Sequence, residues 1–297
     1  MLQEIPTLFV SQGVPLIGRL YRDNDDLSVR QPAVIVAGSW LTVKEQMAAL
    51  YARRFAERGY TAFTFDYAGW GESAGELRHA EIPVRKVADL QSAARFVASQ
   101  SFVDPARIAF LCVCASAQYA LRALLDDVPV RAFASVAGWY HDASSIAPFY
   151  GGADGVALRI SRAAQALEHY LKSREWRTVP AYAPGNDRAG MHFELDYYAN
   201  PARGAVASWP NQMAELSWFQ WLNYDGISAA ATVETPTLIV HSDGCALADN
   251  AKRVYASLPG KKRLTWLDGT QQDYYDQPAQ VDAAVEHAAG WFSEMLR

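Results

Sequence analysis

Short apolar runs alternate with amphipathic ones along most of this chain. Thr7 to Val10 and Pro15 to Tyr21 read as a strand pair turning around Ser11-Gln12-Gly13, with a polar turn at Asp23 to Asp26. Ala33 to Ala37 is a continuous apolar run, the mark of a buried strand, and it ends in Gly38-Ser39-Trp40. From Lys44 to Arg58, Met47, Leu50, Tyr51 and Phe55 recur at helical spacing until Gly59 stops the pattern. Tyr60 to Phe65 gives the next strand, followed by the glycine-punctuated loop Asp66-Tyr67-Ala68-Gly69-Trp70-Gly71-Glu72-Ser73. A helix with proline in its first turn is predicted from Pro83 to Ser99. Asp104-Pro105 turns the chain into a strand ending at Val113. The helix after it runs to near Asp127, and Val130 to Ala137 is another buried strand.

Strand–helix alternation with short connections predicts a mostly parallel sheet with helices on both faces. Ligands of such sheets bind at the carboxyl ends of the strands. Gly38-Ser39, Asp66, Cys114 and His141 all follow strands and are expected on that rim. From His141 to Ala230 the alternation stops. Ala157 to Tyr170 and Asn211 to Trp221 read as helices there, and Pro180 to Gly190 as a loop. The aromatic content of this segment barely exceeds the 12% of the chain, so composition alone does not mark a lid. Its local cluster of Trp209, Trp218, Phe219, Trp221 and Tyr224 suits either a small subdomain core or a binding wall. The sheet pattern resumes with a strand at Thr237 to His241, a helix at Asp249 to Ser257, a strand at Arg263 to Leu267 and a helix from Ala279 to Leu296. The expected organisation is an α/β core over residues 1–140 and 231–297, with a cap over 141–230.

At 297 residues, 51% hydrophobic and 20% charged, the chain has room for one large core plus an inserted subdomain. A net charge of −5 gives no electrostatic reason to expect nucleic acid or an anionic membrane as partner. No apolar run approaches the roughly 20 residues of a membrane helix. The stretch MLQEIPTLFVSQG has neither a basic n-region nor a long apolar h-region, so no secretory signal is expected. Three cysteines, two of them two residues apart in one strand, argue against a disulfide framework and for a reducing cytoplasm. Without a CxxC pair or a His/Cys cluster at ligand spacing, no metal is expected. No Walker-type loop is present either, and no cofactor is expected.

One stretch organises the rest: Arg107 to Leu125, RIAFLCVCASAQYALRALL. Strand formers meet a helical run at Ala115, Cys114 sits at the junction, and the residues two positions to either side, Cys112 and Ser116, are small. This is the shape of a nucleophile elbow, a strained strand-to-helix turn that presents one side chain above the sheet. At the N-terminus of a helix, the dipole and unpaired N–H groups favour a thiolate. Such a thiol can attack a carbonyl without an adjacent base, whereas a serine needs one. The competing reading is a buried, inert cysteine. Cys112 reads as a small packing residue, and Cys245 has no evident role.

With these pieces in place the chain resembles the α/β-hydrolase superfamily over essentially its whole length. Gly-Ser-Trp-Leu-Thr-Val-Lys-Glu-Gln at 38–46, the loop Asp66 to Ser73 and Trp139-Tyr140-His141-Asp142 are similar to a bacterial and fungal branch of dienelactone-hydrolase-like proteins. That branch often has cysteine at the elbow and includes polyketide thiohydrolases and acyl-transfer enzymes. Its tail pattern is matched by His241-Ser242-Asp243 and by Leu267 to Asp276. The resemblance implies an α/β-hydrolase fold, a mostly parallel sheet flanked by helices, with a helical cap inserted after the sixth strand. It implies Cys114 as nucleophile, and the backbone N–H of Ala115 with that of Ser39 or Trp40 as oxyanion hole. Asp243 falls at the acid position. The family's histidine, however, is replaced by Gln271, followed by Gln272, and glutamine does not take a proton near pH 7.

His141, at the rim beside Asp142, is the expected replacement base; its alternative role is to bond backbone groups where the inserted segment begins. His79 is a second, less well placed candidate, and His169, His192, His241 and His287 read as structural or surface residues. Asp142, Trp70, Gln271, Gln272 and Trp218 are expected around the substrate. The function implied is attack on an ester, thioester or lactone, with hydrolysis or transfer, in natural-product metabolism, on a small-molecule or carrier-bound acyl substrate. Two alternatives stay open: a cyclase, isomerase or lyase that only polarises a carbonyl, and a catalytically silent binding protein. A homodimer is compatible with the sequence.

Overall fold

The computed structural model describes residues 2–297. Its first strands are β1 (Gln3–Ser11), β2 (Val14–Arg22), β3 (Gln31–Ala37), β4 (Thr61–Phe65), β5 (Val103–Val113) and β6 (Ala132–Val136). Two short strands, β7 (Thr178–Pro180) and β8 (Gln212–Ala214), follow, and then β9 (Thr237–His241) and β10 (Lys262–Trp266). Eight of them form one sheet in the order β1-β2-β4-β3-β5-β6-β9-β10. β2 runs antiparallel to both its neighbours, and every other pairing in the sheet is parallel. β1 and β2 meet through Gln12 and Gly13, both at positive φ (47° and 81°), a two-residue turn whose twist suits a hairpin.

β4, β6 and β9 are buried at every position, as strands covered on both faces must be. Helices α1 (Met47–Ala56), α2 (Pro83–Ala98) and α3 (Ser116–Ala123) follow β3, β4 and β5 respectively; α1 and α3 return the chain to an adjacent parallel strand, and α2 carries it past β3 to β5. α2 packs on α3, and α1 on the C-terminal helix (Pro278–Met295).

The expected elements are found with instructive shifts. α1 begins three residues later than the hydrophobic spacing predicts, because Lys44 and Gln46 spend their groups elsewhere. Lys44 N–H donates to Asp66 Oδ1 (2.8 Å), and Gln46 Oε1 accepts from Val43 N–H (2.8 Å). β5 starts before the Asp104-Pro105 turn, and the register with β3 shifts there. The helix expected at Asn211 to Trp221 is a correction. Gln212–Ala214 is strand, tied to His79 O by the Ala214 N–H (2.8 Å), and only Ser217–Leu222 is helical.

The loop after β4 is a structural knot. Asp66 is buried and accepts from the Lys44 ammonium (2.7 Å) and from Glu72 N–H (3.0 Å). Gly71 has φ 46°, and a Cβ there would stand 2.2 Å from the Asp66 carboxylate, so only glycine fits. Glu45, Asp66 and Glu72 are the one group of metal-type ligands among the described residues, and Lys44 Nζ stands among all three at 2.5–2.7 Å, supplying the positive charge itself. Trp70, expected around the substrate, is fully buried and donates through Nε1 to Ala80 O (3.1 Å), so it holds this loop and is absent from the lining of the cavity at Cys114.

Between β6 and β9 the chain leaves the sheet for α4 (Ala143–Ile146), α5 (Gly152–Ser173), β7, α6 (Asp196–Ala199), β8 and α7 (Ser217–Leu222). α8 (Ala248–Ser257), α9 (Asp273–Asp276) and α10 (Pro278–Met295) complete the fold. No helix among the described residues is long and apolar enough to cross a membrane.

His141 pins the start of this excursion. It is fully buried; Nδ1 accepts from the Trp139 indole N–H (2.9 Å), which leaves Nε2–H to donate to Trp221 O (2.8 Å). Its backbone N–H donates to Gln118 Oε1 (3.2 Å), and its carbonyl accepts from Gly226 N–H (2.7 Å). Burial lowers its pKa to about 4. A neutral ring with both nitrogens engaged is a joint between β6 and α7. It is not the replacement base expected from the sequence.

Since protonation is harder in the folded state, stability at this site is complete above pH 6.5 and is lost as pH falls from there towards 4. The span corresponds to roughly 3 kcal/mol. His141→Gln, which keeps a donor and an acceptor, is expected to flatten that part of the stability–pH curve in urea titrations between pH 7 and 4. An equally steep curve in the variant would assign the acid sensitivity to other groups.

Candidate active site

Cys114 has φ 59°, a left-handed conformation that costs a non-glycine residue on the order of 1–3 kcal/mol and persists only where the surroundings enforce it. Here they do. Cys114 N–H donates to Val136 O (3.1 Å), and its carbonyl accepts from Ala117 N–H (3.1 Å) and Trp139 N–H (3.0 Å). Ser116 Oγ donates across to Ala37 O (2.9 Å), which ties the start of α3 to the end of β3. Cys112 and Ser116 are both essentially without exposure, the close packing that small residues permit.

The elbow places the thiol at the floor of a cavity of about 250 Å³. Ser39, Trp40 and Tyr275 line the same cavity, and the Ser39 and Tyr275 side chains and the Trp40 and Ala115 N–H groups lie close enough to the thiol to favour its charged form. Those two N–H groups belong to the loop after β3 and to the residue after the elbow. This is where oxyanion donors are required.

The hydroxyls form a chain. Tyr198 Oη donates to Ser39 Oγ (3.1 Å), and Ser39 Oγ pairs with Tyr275 Oη (3.2 Å). Gln271 Nε2 donates to Tyr275 Oη (3.3 Å) and to Ala137 O (2.8 Å), while its Oε1 accepts from Ala246 N–H (3.0 Å). Gln271 and Gln272 both line the cavity as expected, and Gln272 Oε1 accepts from Tyr197 N–H (2.7 Å).

One wall is aromatic. Trp40 stacks on Trp221 at 4.2 Å and 14°, Trp221 leads to Trp139 at 6.1 Å, and Trp139 to Phe149 at 5.1 Å. More than half of the lining, including Phe149, Met191, Phe193 and Tyr198, comes from the segment between β6 and β9. Among the described residues that line the cavity there is no Asp, Glu, Lys, Arg or His.

That composition corrects an expectation about the thiol. Burial, larger than the hydrogen bonds from Ser39, Tyr275, Trp40 and Ala115, pushes the Cys114 pKa above its ordinary value. Cys114 therefore rests as a thiol. Burial also pushes Cys245 up to about 11; its Sγ lies 3.2 Å from Ser242 Oγ. All three cysteines are unpaired and buried.

Other expected residues stand elsewhere. Asp243 is exposed and pairs with Lys252 (3.2 Å); hydrogen bonds from Trp266 and Lys252 hold its carboxyl below the usual range. Asp142 caps α4 by accepting from Ser145 N–H (2.9 Å) and pairs with Arg253 (3.3 Å). Burial would raise its pKa, but the Ser144 and Ser145 hydrogen bonds outweigh it and hold the carboxyl well below the usual range. Trp218 is buried behind the wall, edge-on to Tyr150 at 4.9 Å. Neither carboxylate nor Trp218 lines the cavity.

Tyr275 and Tyr198 are the residues that sequence reasoning missed. Tyr275 lies four positions after Gln271, one turn along α9, inside a motif read only for its histidine position. Tyr198 carries no periodic signal.

No family model matches the chain. The uncharacterized protein PA2218 of Pseudomonas aeruginosa is 28% identical over 300 residues, covering 96% of this chain and 78% of its own. The polyketide transferase claH of Penicillium crustosum is 26% identical over 269 residues, 85% of this chain and 84% of the relative. A thiohydrolase of Eupenicillium brefeldianum is 24% identical over 242 residues, 78% of this chain and 76% of the relative. The crystal structure of PA2218 superposes with a TM-score of 0.85 at 23% identity, covering 99% of this chain and 94% of that one. That of the α/β hydrolase GrgF from Penicillium sp. sh18 superposes with a TM-score of 0.80 at 18% identity, covering 100% and 99%. Sheet order, elbow and these superpositions together give the chain the α/β-hydrolase fold.

Proposed function

We propose that this protein is an acyl-transfer enzyme in which Cys114 attacks the carbonyl of a neutral thioester, ester or lactone and passes the acyl group to a second nucleophile. The observation that carries this reading is the convergence of the Trp40 and Ala115 N–H groups on a thiol held at an elbow inside an apolar, uncharged cavity. When the carbonyl becomes tetrahedral, its oxygen gains negative charge, and donors of this kind are each worth roughly 3–4 kcal/mol there. Relatives named polyketide transferase, acyltransferase and thiohydrolase support an acyl substrate, small or carrier-bound, from natural-product metabolism.

Transfer is favoured over hydrolysis by what the cavity lacks. Deacylation by water needs a base, and the lining offers none that is charged or imidazole-like. An acceptor hydroxyl or thiol bound against the aromatic wall is held in place by its own apolar body, which water is not. The chain between β6 and β9 serves as the cap that supplies this wall. Three unpaired, buried thiols suit a reducing cytoplasm.

The raised thiol pKa favours a second reading, in which the oxyanion donors polarise a carbonyl without covalent attack, as in a cyclase, isomerase or lyase. Cys114→Ala separates the two. Covalent transfer predicts a loss of about a thousandfold or more in kcat, together with an acyl adduct on wild-type Cys114 in intact-mass spectra under a substrate-only chase. Turnover that survives in Cys114→Ala would sink the covalent reading and leave the polarising one.

Gln271→His tests the role of the missing base. With imidazole beside the thiol, hydrolysis of activated esters is expected to rise at least tenfold relative to transfer, read as the ratio of acid to transferred product. A folded variant with an unchanged ratio would mean that a base at residue 271 does not reach the acyl-enzyme.

A further inference from the structure

Because the cavity holds no histidine or carboxylate, the proton of the Cys114 thiol needs another route. We propose that Tyr275, paired with Ser39, is the proton-transfer residue of this site; the proposal rests on the covalent reading above and names the group that serves it.

The geometry satisfies a complete hydrogen-bond inventory. A hydroxyl oxygen has two acceptor positions and one proton. One acceptor position of Ser39 Oγ is filled by Tyr198 Oη–H (3.1 Å), and one of Tyr275 Oη by Gln271 Nε2–H (3.3 Å). Gln271 is itself locked, with its other amide proton on Ala137 O (2.8 Å) and its oxygen on Ala246 N–H (3.0 Å). Tyr198 and Gln271 therefore act as fixed donors. What remains free on the Ser39–Tyr275 pair, 3.2 Å apart, is one proton each and one acceptor position each, and both side chains stand beside Cys114 in the cavity lining.

The proton count closes without any further reagent. As sulfur bonds to the acyl carbon, the carbonyl π pair moves onto oxygen, facing the Trp40 and Ala115 N–H groups. The thiol proton passes to Ser39 Oγ, the Ser39 proton to Tyr275 Oη, and the Tyr275 proton to the leaving oxygen or sulfur as its bond to the acyl carbon breaks. Each hydroxyl gains one proton and loses one, so no charge is left in the cavity. In the second half an acceptor hydroxyl or thiol attacks the thioester, and its proton returns by the same path to the Cys114 sulfur. Burial raises the Tyr275 pKa well above that of a free phenol, so the residue works as a neutral relay and not as a resting phenolate.

The test compares Tyr275→Phe, Ser39→Ala and Cys114→Ala on transfer from a neutral N-acetylcysteamine thioester to an alcohol. Alongside, iodoacetamide labelling of Cys114 is followed across pH. Tyr275→Phe is expected to lower kcat by about a hundredfold or more while KM stays within about threefold, the scale of a lost general acid–base group. Labelling should move to higher pH, since the thiolate loses a hydrogen bond. Tyr275→Phe with kcat within a fewfold of wild type, or with its whole defect in KM, overturns the proposal. If Tyr275→Phe does not fold, 3-fluorotyrosine at position 275 keeps the hydroxyl and acidifies it. Because Tyr275 stays neutral, the readout is kcat: it must change by more than about threefold with KM held, and an unchanged kcat overturns the relay. Failure of the covalent reading looks different: Cys114→Ala stays active while Tyr275→Phe does not, which keeps Tyr275 as the proton donor of a non-covalent reaction.

Discussion

The left-handed turn at Cys114 is the constraint on which the rest depends. Cysteine has no intrinsic liking for φ 59°, so the strain of roughly 1–3 kcal/mol must be held by neighbours. Those neighbours are the sheet itself: Val136 at the end of β6 takes the Cys114 N–H, and Ala37 at the end of β3 takes the Ser116 hydroxyl. The two strands that flank β5 thus fix the turn from both sides. The same pinning aims the Ala115 N–H and leaves the Cys114 carbonyl to accept from Trp139, the first residue of the aromatic wall reached from β6. A change in strand register would therefore disturb the Cys114 thiol, the Ala115 N–H and the wall together.

Inside that frame two electrostatic effects oppose each other at the sulfur, and magnitude decides between them. A helix N-terminus favours a negative charge by about 0.3–1 kcal/mol, rising to ~2 when partly buried, which is worth at most about 1.5 pKa units. Desolvation in a dry site can move a pKa by up to roughly 3–5 units the other way. With a thiol only 4% exposed and no formal charge in the lining, desolvation wins. On the proposed covalent reading, attack and proton transfer must then be coupled, because a free thiolate is not the resting state. A site of this kind gains from uncharged, prealigned hydroxyls and would be disrupted by a permanent ion.

Much of this frame was legible in the sequence, for reasons that differ by element. Continuous apolar runs such as Ala33–Ala37 and Ile108–Val113 can only be covered strands, so the sheet, its mostly parallel sense and the position of Cys114 followed from period and turn residues. Asn211 to Trp221 misled because its spacing fits a helix, whereas its backbone hydrogen bonds go to His79 and Arg177, far away in the chain. Histidine at a strand end was read as chemistry; at His141 the ring is consumed by Trp139 and Trp221, partners that no local pattern announces. Asp142 likewise turned out to be a helix cap. Tyr275 was hidden for the opposite reason. It lies within the very motif used to find the missing histidine, but a tyrosine gives no titration argument near neutral pH, and its meaning depends on Ser39, which is 236 residues away.

Gln271 is where these threads meet. Read alone, a glutamine in place of a catalytic histidine looks like loss. In the folded chain every polar atom of its amide is used: one proton steadies the end of β6 through Ala137, the oxygen holds Ala246, and the other proton orients Tyr275. A histidine could not make all three contacts, since a neutral imidazole has one donor and one acceptor. Where the resemblance would place a titratable base, glutamine is a fixed donor that orients a neutral hydroxyl pair. A neutral imidazole in this cavity would activate whatever water entered, and the imidazolium it then became would be the sole charge in an aromatic space. On the covalent reading proposed above, its absence protects an acyl-enzyme from hydrolysis at the cost of basicity, which is the direction selection for transfer over hydrolysis would take.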